Sequence, residues 1–206
     1  MSLLNWQLAP EHVTVVSDTL VTDFDGKPLK HVAKIATLPH MDMMIGLTGF
    51  SDVLVRWNSV LSSWAPGASI DDLDDYAAEV LPLIWSDLFP EGCDLLTTVR
   101  HWGWSPKEGR FVGRSFRSPN GFAPEVMPDA WAFSPDPRPD HLETVVDSFE
   151  RVIEVCRGQQ EHGLAQPEGE KVYIGGRLIF HSLMRSEAGA VVASSYRVED
   201  LPDLMT

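Results

Sequence analysis

Short apolar runs separated by turn-forming residues occupy the first fifty positions and predict β-strands. The first two runs are joined by a three-residue break around Pro10, which is the length of a hairpin turn. A polar stretch with Asp23 and Gly26 follows, and Pro39 opens the turn between the last two runs. The four strands predicted in this way cover residues 3–8, 12–18, 32–38 and 43–49.

Apolar residues at spacings of three and four predict three helices in the rest of the chain. The first begins at Phe50, and Ser69 is suited to cap the second, which contains Pro82. The third is predicted from Pro139 and should end before Gly158. The remaining β-prone runs predict strands over residues 95–102, 110–116, 130–134, 177–185 and 190–198, with a polar loop over 159–170.

The order of these elements is strands, two helices, strands, helix and strands. Each amphipathic helix must bury one stripe, so the order favours two sheets packed face to face with helices on the outer faces. A chain of 206 residues with 44% apolar residues is long enough for one substantial core and short for two. We therefore expect a single domain over residues 1–206.

Charge and cysteine content exclude several classes of function. With 30 acidic and 16 basic residues, the net charge of −14 would repel phosphate backbones and anionic lipid, so no nucleic-acid or membrane partner is expected. Cys93 and Cys156 lie far apart and suggest neither a disulfide framework nor a zinc site. The chain shows no apolar run of membrane-spanning length and no signal-peptide pattern, so a cytoplasmic location is expected.

Three residues near the start combine the groups that amide hydrolysis requires. Ser2, Asp18 and Lys34 follow one another at intervals of sixteen residues. After removal of Met1, Ser2 would carry a hydroxyl nucleophile together with an α-amine whose pKa is normally near 7.7–8.0. Lys34 would lower the cost of forming the alkoxide, and Asp18 would keep Lys34 charged and aimed.

A glycine at the end of the fourth strand completes this arrangement. Gly49 lies between that strand and the first helix, where its backbone N–H could face the oxyanion formed in acyl transfer. A side chain here would block the close approach of a substrate backbone. His101, His141 and His181 have no partner that their spacing assigns.

The segments VVSDTLVTD, VAKIATL and GLTG, followed by the helix at Phe50, resemble the β-type subunits of proteasomes and their bacterial peptidase relatives. These proteins are N-terminal-nucleophile (Ntn) hydrolases. The resemblance implies that Ser2 replaces the family's N-terminal threonine, and that Lys34 and Gly49 match its lysine and oxyanion glycine. WAFSPDP is placed like the family's Gly-Ser-Gly loop, which would make Ser134 a supporting serine. A four-layer αββα sandwich assembled into rings is also implied.

Three departures from the family pattern are visible. Serine at position 2 keeps the hydroxyl but loses the methyl group that fixes the threonine rotamer. Pro135 replaces the glycine after the loop serine and removes a backbone donor. Lys171 and Val172 stand where the family has a supporting aspartate before the Gly-Gly pair.

The sequence therefore predicts an Ntn-type amide hydrolase, foremost a peptidase, that acts on a peptide or amide substrate. Two alternatives remain open, a catalytically inactive subunit with a structural or assembly role and a small-molecule amidase of the same class. No cofactor and no metal are expected, since His40 and Asp42 lack further ligands at fitting spacing. A homo-oligomer, as in a ring, is expected, and the sequence does not identify an ATPase partner.

Overall fold

The computed structural model describes residues 3–23, 26–64, 66–135, 148–167 and 171–201. Within them the chain is an α+β protein of twelve strands and three α-helices. The helices are α1 (Ser51–Ser62), α2 (Asp74–Leu88) and α3 (Phe149–Leu164). The strands are β1 (Leu4–Leu8), β2 (His12–Ser17), β3 (Leu20–Thr22), β4 (Pro28–His31), β5 (Ile35–Leu38), β6 (Met43–Thr48), β7 (Thr98–Ser105), β8 (Arg110–Arg117), β9 (Pro124–Val126), β10 (Trp131–Ala132), β11 (Gly176–Arg185) and β12 (Val191–Leu201).

The strands form two five-stranded antiparallel sheets and one separate hairpin. Sheet 1 has the order β10-β1-β2-β11-β12, and sheet 2 has the order β5-β6-β7-β8-β9. Strands β3 and β4 pair only with each other. Sheet 1 therefore joins the beginning of the chain to its end, because β2 pairs with both β1 and β11.

Apolar side chains on alternate strand positions form three core clusters, as the period of two along a strand requires. One cluster contains side chains of both sheets, including Leu4, Trp6, Val15, Met44, Trp102 and Phe111. A second joins sheet 2 to α1 and α2, and includes Met43, Ile45, Val53, Trp57, Leu81 and Phe116. A third joins sheet 1 to α3, and includes Leu3, Val16, Val152, Cys156, Leu178 and Phe180.

The first two helices follow the predicted apolar stripes, with a later start for the second. Ser69 caps a 3-10 turn over Ile70–Asp72, in which the Asp72 carboxylate accepts the Ser69 N–H at 2.9 Å. The α-helix begins only after that turn, at Asp74. Pro82 lies inside α2, which continues through it.

The predicted end of the third helix is wrong. The helix continues past Gly158 to Leu164, so the predicted loop over 159–170 starts too early. Gly158 and Gly163 are buried in the helix, and a Cβ on Gly163 would collide with the Val172 carbonyl. These glycines therefore allow close packing and do not end the helix. The predicted start at Pro139 lies outside the described residues.

Three strand predictions also need correction. The stretch predicted as a polar connection after residue 18 contains the β3–β4 hairpin, so six strands precede α1 instead of four. Strand β9 lies between the strands predicted over 110–116 and 130–134, where no strand is predicted, and it pairs with β8. The strand predicted over 130–134 is confined to Trp131–Ala132. None of the described helices combines the length and apolar character needed to cross a membrane.

Candidate active site

The predicted aspartate and lysine form a buried ion pair. Asp18 directly follows β2, and Lys34 directly precedes β5. The Lys34 Nζ contacts Asp18 Oδ1, and the side chains are 5% and 0% exposed respectively. Two chain segments sixteen residues apart thus bring opposite charges together in a site that excludes most water.

The Asp18 carboxylate also receives two backbone N–H groups. Leu3 donates to Oδ1 at 3.0 Å, and Gly175 donates to Oδ2 at 3.2 Å. One carboxylate therefore connects the start of β1, the lysine and the segment that leads into β11. Gly175, the first glycine of the Gly-Gly pair at 175–176, thus lies beside this pair of charges.

Burial dominates the electrostatics of Lys34. Removal from water lowers its pKa from the ordinary value of 10.5, while the charge and hydrogen bond of Asp18 act in the opposite direction. Its main chain is also held, since the Lys34 carbonyl accepts the Leu47 N–H at 3.2 Å. The ammonium group is therefore fixed in position by both its side chain and its backbone.

Gly49 occupies a position that no other residue would fill without strain. Its φ is +112°, and a Cβ would lie 2.6 Å from the Leu96 carbonyl and 2.5 Å from Thr97 Oγ1. The next residue, Phe50, donates its N–H to the same Thr97 hydroxyl at 3.2 Å. The connection between β6 and α1 is therefore held close against the chain before β7.

A cleft of about 130 Å³, partly open to solvent, runs along this connection and is lined by both Lys34 and Gly49. Its walls come from the β3–β4 hairpin and from α1. The apolar wall residues include Leu20, Val21, Leu47, Leu54 and Val55, and the polar ones include Lys30 and Asp52. Sequence reasoning missed the hairpin and hence one wall. Strand β3 has only three residues, and the side chains of β4 are all exposed, so neither shows the alternation that indicates a strand.

Ser134 lies beside the start of β1. Its carbonyl accepts the Leu4 N–H at 2.8 Å, and its own N–H donates to Asn5 Oδ1 at 3.2 Å. Asn5 in turn exchanges two hydrogen bonds with Gln159 of α3, at 2.7 and 3.1 Å, and Gln159 also donates to the Pro135 carbonyl. This buried amide pair was not predicted. It fixes the Ser134 loop to the strand that follows Ser2.

Ser2 itself lies outside the described residues, as do Met1 and His141. Among the described residues, no group of three or more His, Cys, Asp or Glu side chains is arranged to hold a metal ion. Comparison with protein-family models gave no match, and a search of the curated proteins found no similar sequence. The family resemblance therefore remains a prediction from the sequence motifs.

Proposed function

We propose that this protein is an Ntn-type amide hydrolase, foremost a peptidase, whose nucleophile is Ser2 after removal of Met1. The proposal is carried by one observation, that the Asp18 carboxylate contacts both the start of β1 and Lys34. One of its oxygens accepts the Leu3 N–H and contacts the Lys34 ammonium. Ser2 is covalently bonded to Leu3, and this connection supports the assignment of Lys34 as the partner of its hydroxyl.

The proposed reaction uses groups of this chain alone. The Ser2 hydroxyl adds to the carbonyl carbon of the amide while its proton passes to the α-amine. Lys34 stabilises the developing alkoxide, and the Gly49 N–H serves as a donor to the oxyanion. The C–N bond then breaks, the leaving amine takes the proton, and an acyl-enzyme remains. Water activated by the same amine hydrolyses the ester and restores the free serine.

The arrangement of the three core clusters supports a finer description of the fold, a four-layer αββα sandwich of a single domain over residues 1–206. One cluster joins the two sheets, and the other two join each sheet to helices. This order of layers is the one that the family resemblance implies. A cytoplasmic homo-oligomer, as in a ring, without nucleic-acid or membrane partners belongs to the same proposal.

Two observations favour the alternative functions. The Asp18–Lys34 pair ties three chain segments together, so it would also stabilise a catalytically inactive subunit with a structural or assembly role. The cleft is small, about 130 Å³, which suits a small acyl group and so favours an Ntn amidase acting on a small substrate. Both alternatives keep the same fold and differ in the chemistry at Ser2.

The decisive experiment combines the intact mass of the protein with an acyl-enzyme assay. We expect a mass without Met1 and a burst of amine product from a fluorogenic peptide amide. Ser2→Ala should abolish the burst, whereas Ser2→Thr, which keeps a hydroxyl nucleophile, should retain it. Urea unfolding of each variant provides the control for folding.

A protein that retains Met1 and forms no acyl-enzyme would overturn the proposal in favour of the inactive subunit. A burst that survives in Ser2→Ala would show that another residue is the nucleophile. Activity on short acyl amides combined with no activity on peptides would select the small-molecule amidase.

A further inference from the structure

A second positive charge is buried near the same end of the sheets. Arg100 lies in β7, two residues before Trp102, on the face of sheet 2 that contributes to the core shared with sheet 1. Its Nη1 donates to Thr48 Oγ1 at 3.1 Å. Its guanidinium carbon lies 4.7 Å from the centre of the Trp6 ring. Residues of both sheets thus surround this guanidinium.

Arg100 differs from other arginines of the protein in its partners. Among the described residues, no carboxylate lies within ion-pair distance of Arg100. Four other arginines contact acids, in the pairs Arg56–Asp87, Arg110–Asp129, Arg114–Asp74 and Arg117–Glu125. The charge that acts on Arg100 is that of Arg117, which repels it, and burial together with this repulsion lowers the pKa of Arg100 to about 10.

The surroundings satisfy only part of this guanidinium. An arginine carries five N–H donors, and Thr48 accepts from one nitrogen. The Trp6 ring attracts the cation through its face but accepts no conventional hydrogen bond. The edge formed by Nε and Nη2 has no acceptor among the described residues. A largely buried cation without a counter-ion is costly, and an acceptor from outside the chain would offset that cost.

The position of Arg100 links it to the candidate active site. Its hydrogen-bond partner Thr48 is the residue before Gly49, which lines the cleft. Its ring partner Trp6 lies in β1, the strand that begins next to the Asp18–Lys34 pair. Arg100 is itself partly exposed, so its side chain is accessible to a ligand.

We propose that Arg100 binds a carboxylate of the ligand through its free Nε–Nη2 edge. Two parallel N–H groups match the two oxygens of a carboxylate. This proposal rests on the hydrolase proposed above. It assigns the substrate class as amides that carry a free carboxylate, such as short peptides with an unblocked C-terminus.

The binding test uses Ser2→Ala protein, so that its result does not depend on hydrolysis. The probes are acetyl-dialanine with a free C-terminal acid and the matched C-terminal amide, titrated by calorimetry. We expect the acid to bind at least about tenfold more tightly than the amide. The arginine Nε–H signals in ¹H–¹⁵N spectra give a second readout, because the Arg100 signal should shift with the acid and not with the amide.

Three variants separate binding from structural support. Arg100→Met should remove the preference for the acid, and Arg100→Lys, which keeps the charge but loses the two-pronged edge, should reduce it. Arg117→Met removes the neighbouring, exposed arginine that pairs with Glu125, and the preference should remain. Should Arg100→Met fail to fold, Arg100→Lys and the Arg100 Nε–H signal decide the outcome.

Equal affinities for acid and amide, or no binding of the acid at millimolar concentrations, would overturn the proposal. So would a preference for the acid that persists at full strength in Arg100→Lys and in every folded Arg100 variant. Inorganic phosphate serves as the comparison anion, and tighter binding of phosphate than of the acid would also contradict the carboxylate assignment. A preference for the acid in a protein that forms no acyl-enzyme would support the binding site and refute only the hydrolase.

Discussion

Two buried pairs of polar side chains in this fold differ in their charge state. Asp18 and Lys34 are 0% and 5% exposed and form an ion pair, whereas Trp57 and His101 are both 0% exposed and form a neutral pair. The first lies at the ends of strands beside the cleft, and the second lies between sheet 2 and α1. Both pairs are almost fully buried, yet the Asp18–Lys34 pair is charged and the Trp57–His101 pair is neutral.

Local donors explain the difference. The Asp18 carboxylate accepts two backbone N–H groups and contacts Lys34, so its charge is compensated from three sides. His101 accepts the Trp57 indole N–H at 2.8 Å, and the two ring planes are nearly parallel, with an angle of 9° between them. Burial without a compensating anion lowers the pKa of His101 to about 3, which keeps the imidazole neutral.

The Asp18–Lys34 pair keeps its charges although burial makes them costly. An apolar interior normally neutralises a titratable group, as it does at His101. An ion pair removed from water is rarely the most stable solution for packing alone, so its retention beside a cleft indicates a role in chemistry or in fixing the chain. The three predictions below test this contrast through stability.

The largest effect is expected from removal of the buried cation. Lys34→Met keeps an unbranched chain of similar length but leaves Asp18 buried without its counter-ion. We expect a loss of roughly 3–5 kcal/mol in the free energy of unfolding. Urea unfolding followed by tryptophan fluorescence would measure it.

The matched control is the double variant Asp18→Asn with Lys34→Met, which removes both charges. Because no uncompensated charge remains, this variant should be more stable than Lys34→Met alone. A double variant that is less stable than the single one would contradict the description of Asp18 and Lys34 as a mutually compensating pair.

The Trp57–His101 pair predicts that the free energy of unfolding decreases as the pH falls. In the folded state the pKa of His101 is about 3, and in the unfolded state it is near the ordinary value of 6.5, so the unfolded chain binds the extra proton between these values. The contribution is complete above pH 6.5 and is lost as the pH falls toward 3, by about 1.4 kcal/mol per pH unit. Unfolding free energies measured from pH 6.5 to 5.0 would reveal this slope.

His101→Gln should remove that part of the slope, because glutamine does not titrate. His181 offers a second test, since burial lowers its pKa to about 4. Its ring is less deeply buried and its Nδ1 shares a hydrogen bond with Ser195 at 2.8 Å, so His181→Gln should have the smaller effect. A slope unchanged in His101→Gln would show that this histidine is not held neutral by burial.

The charged pair was predicted from the sixteen-residue spacing, from the chemistry that an N-terminal serine needs and from the family resemblance, which together assign Asp18 as the partner of Lys34. The apolar pattern likewise predicted the first two helices and nine strand regions, each of which overlaps an observed strand. The stripe of α1, which includes Val53 and Trp57, is a regular repeat over three turns, and such repeats are the strongest local signal.

Contacts between distant segments could not be predicted. Asn5 and Gln159 are 154 residues apart, and their pairing depends on how α3 packs on sheet 1. Trp57 meets His101 only because α1 covers β7. Gly158 was interpreted as a helix end, since the sequence does not reveal that this glycine is buried within a helix. The hairpin strand β4 is exposed throughout, so it has no alternation to detect.

The smallest effect is expected from an ion pair that lies on the surface. Arg56 of α1 contacts Asp87 of α2, and the two side chains are 45% and 71% exposed. Water and salt screen such a pair, so Arg56→Ala should change the free energy of unfolding by less than about 1 kcal/mol. Urea unfolding of Arg56→Ala and Lys34→Met under the same conditions measures both changes in the free energy of unfolding. If the two substitutions cost the same, burial would not be the property that makes the Asp18–Lys34 pair consequential, whereas a severalfold difference would show that it is.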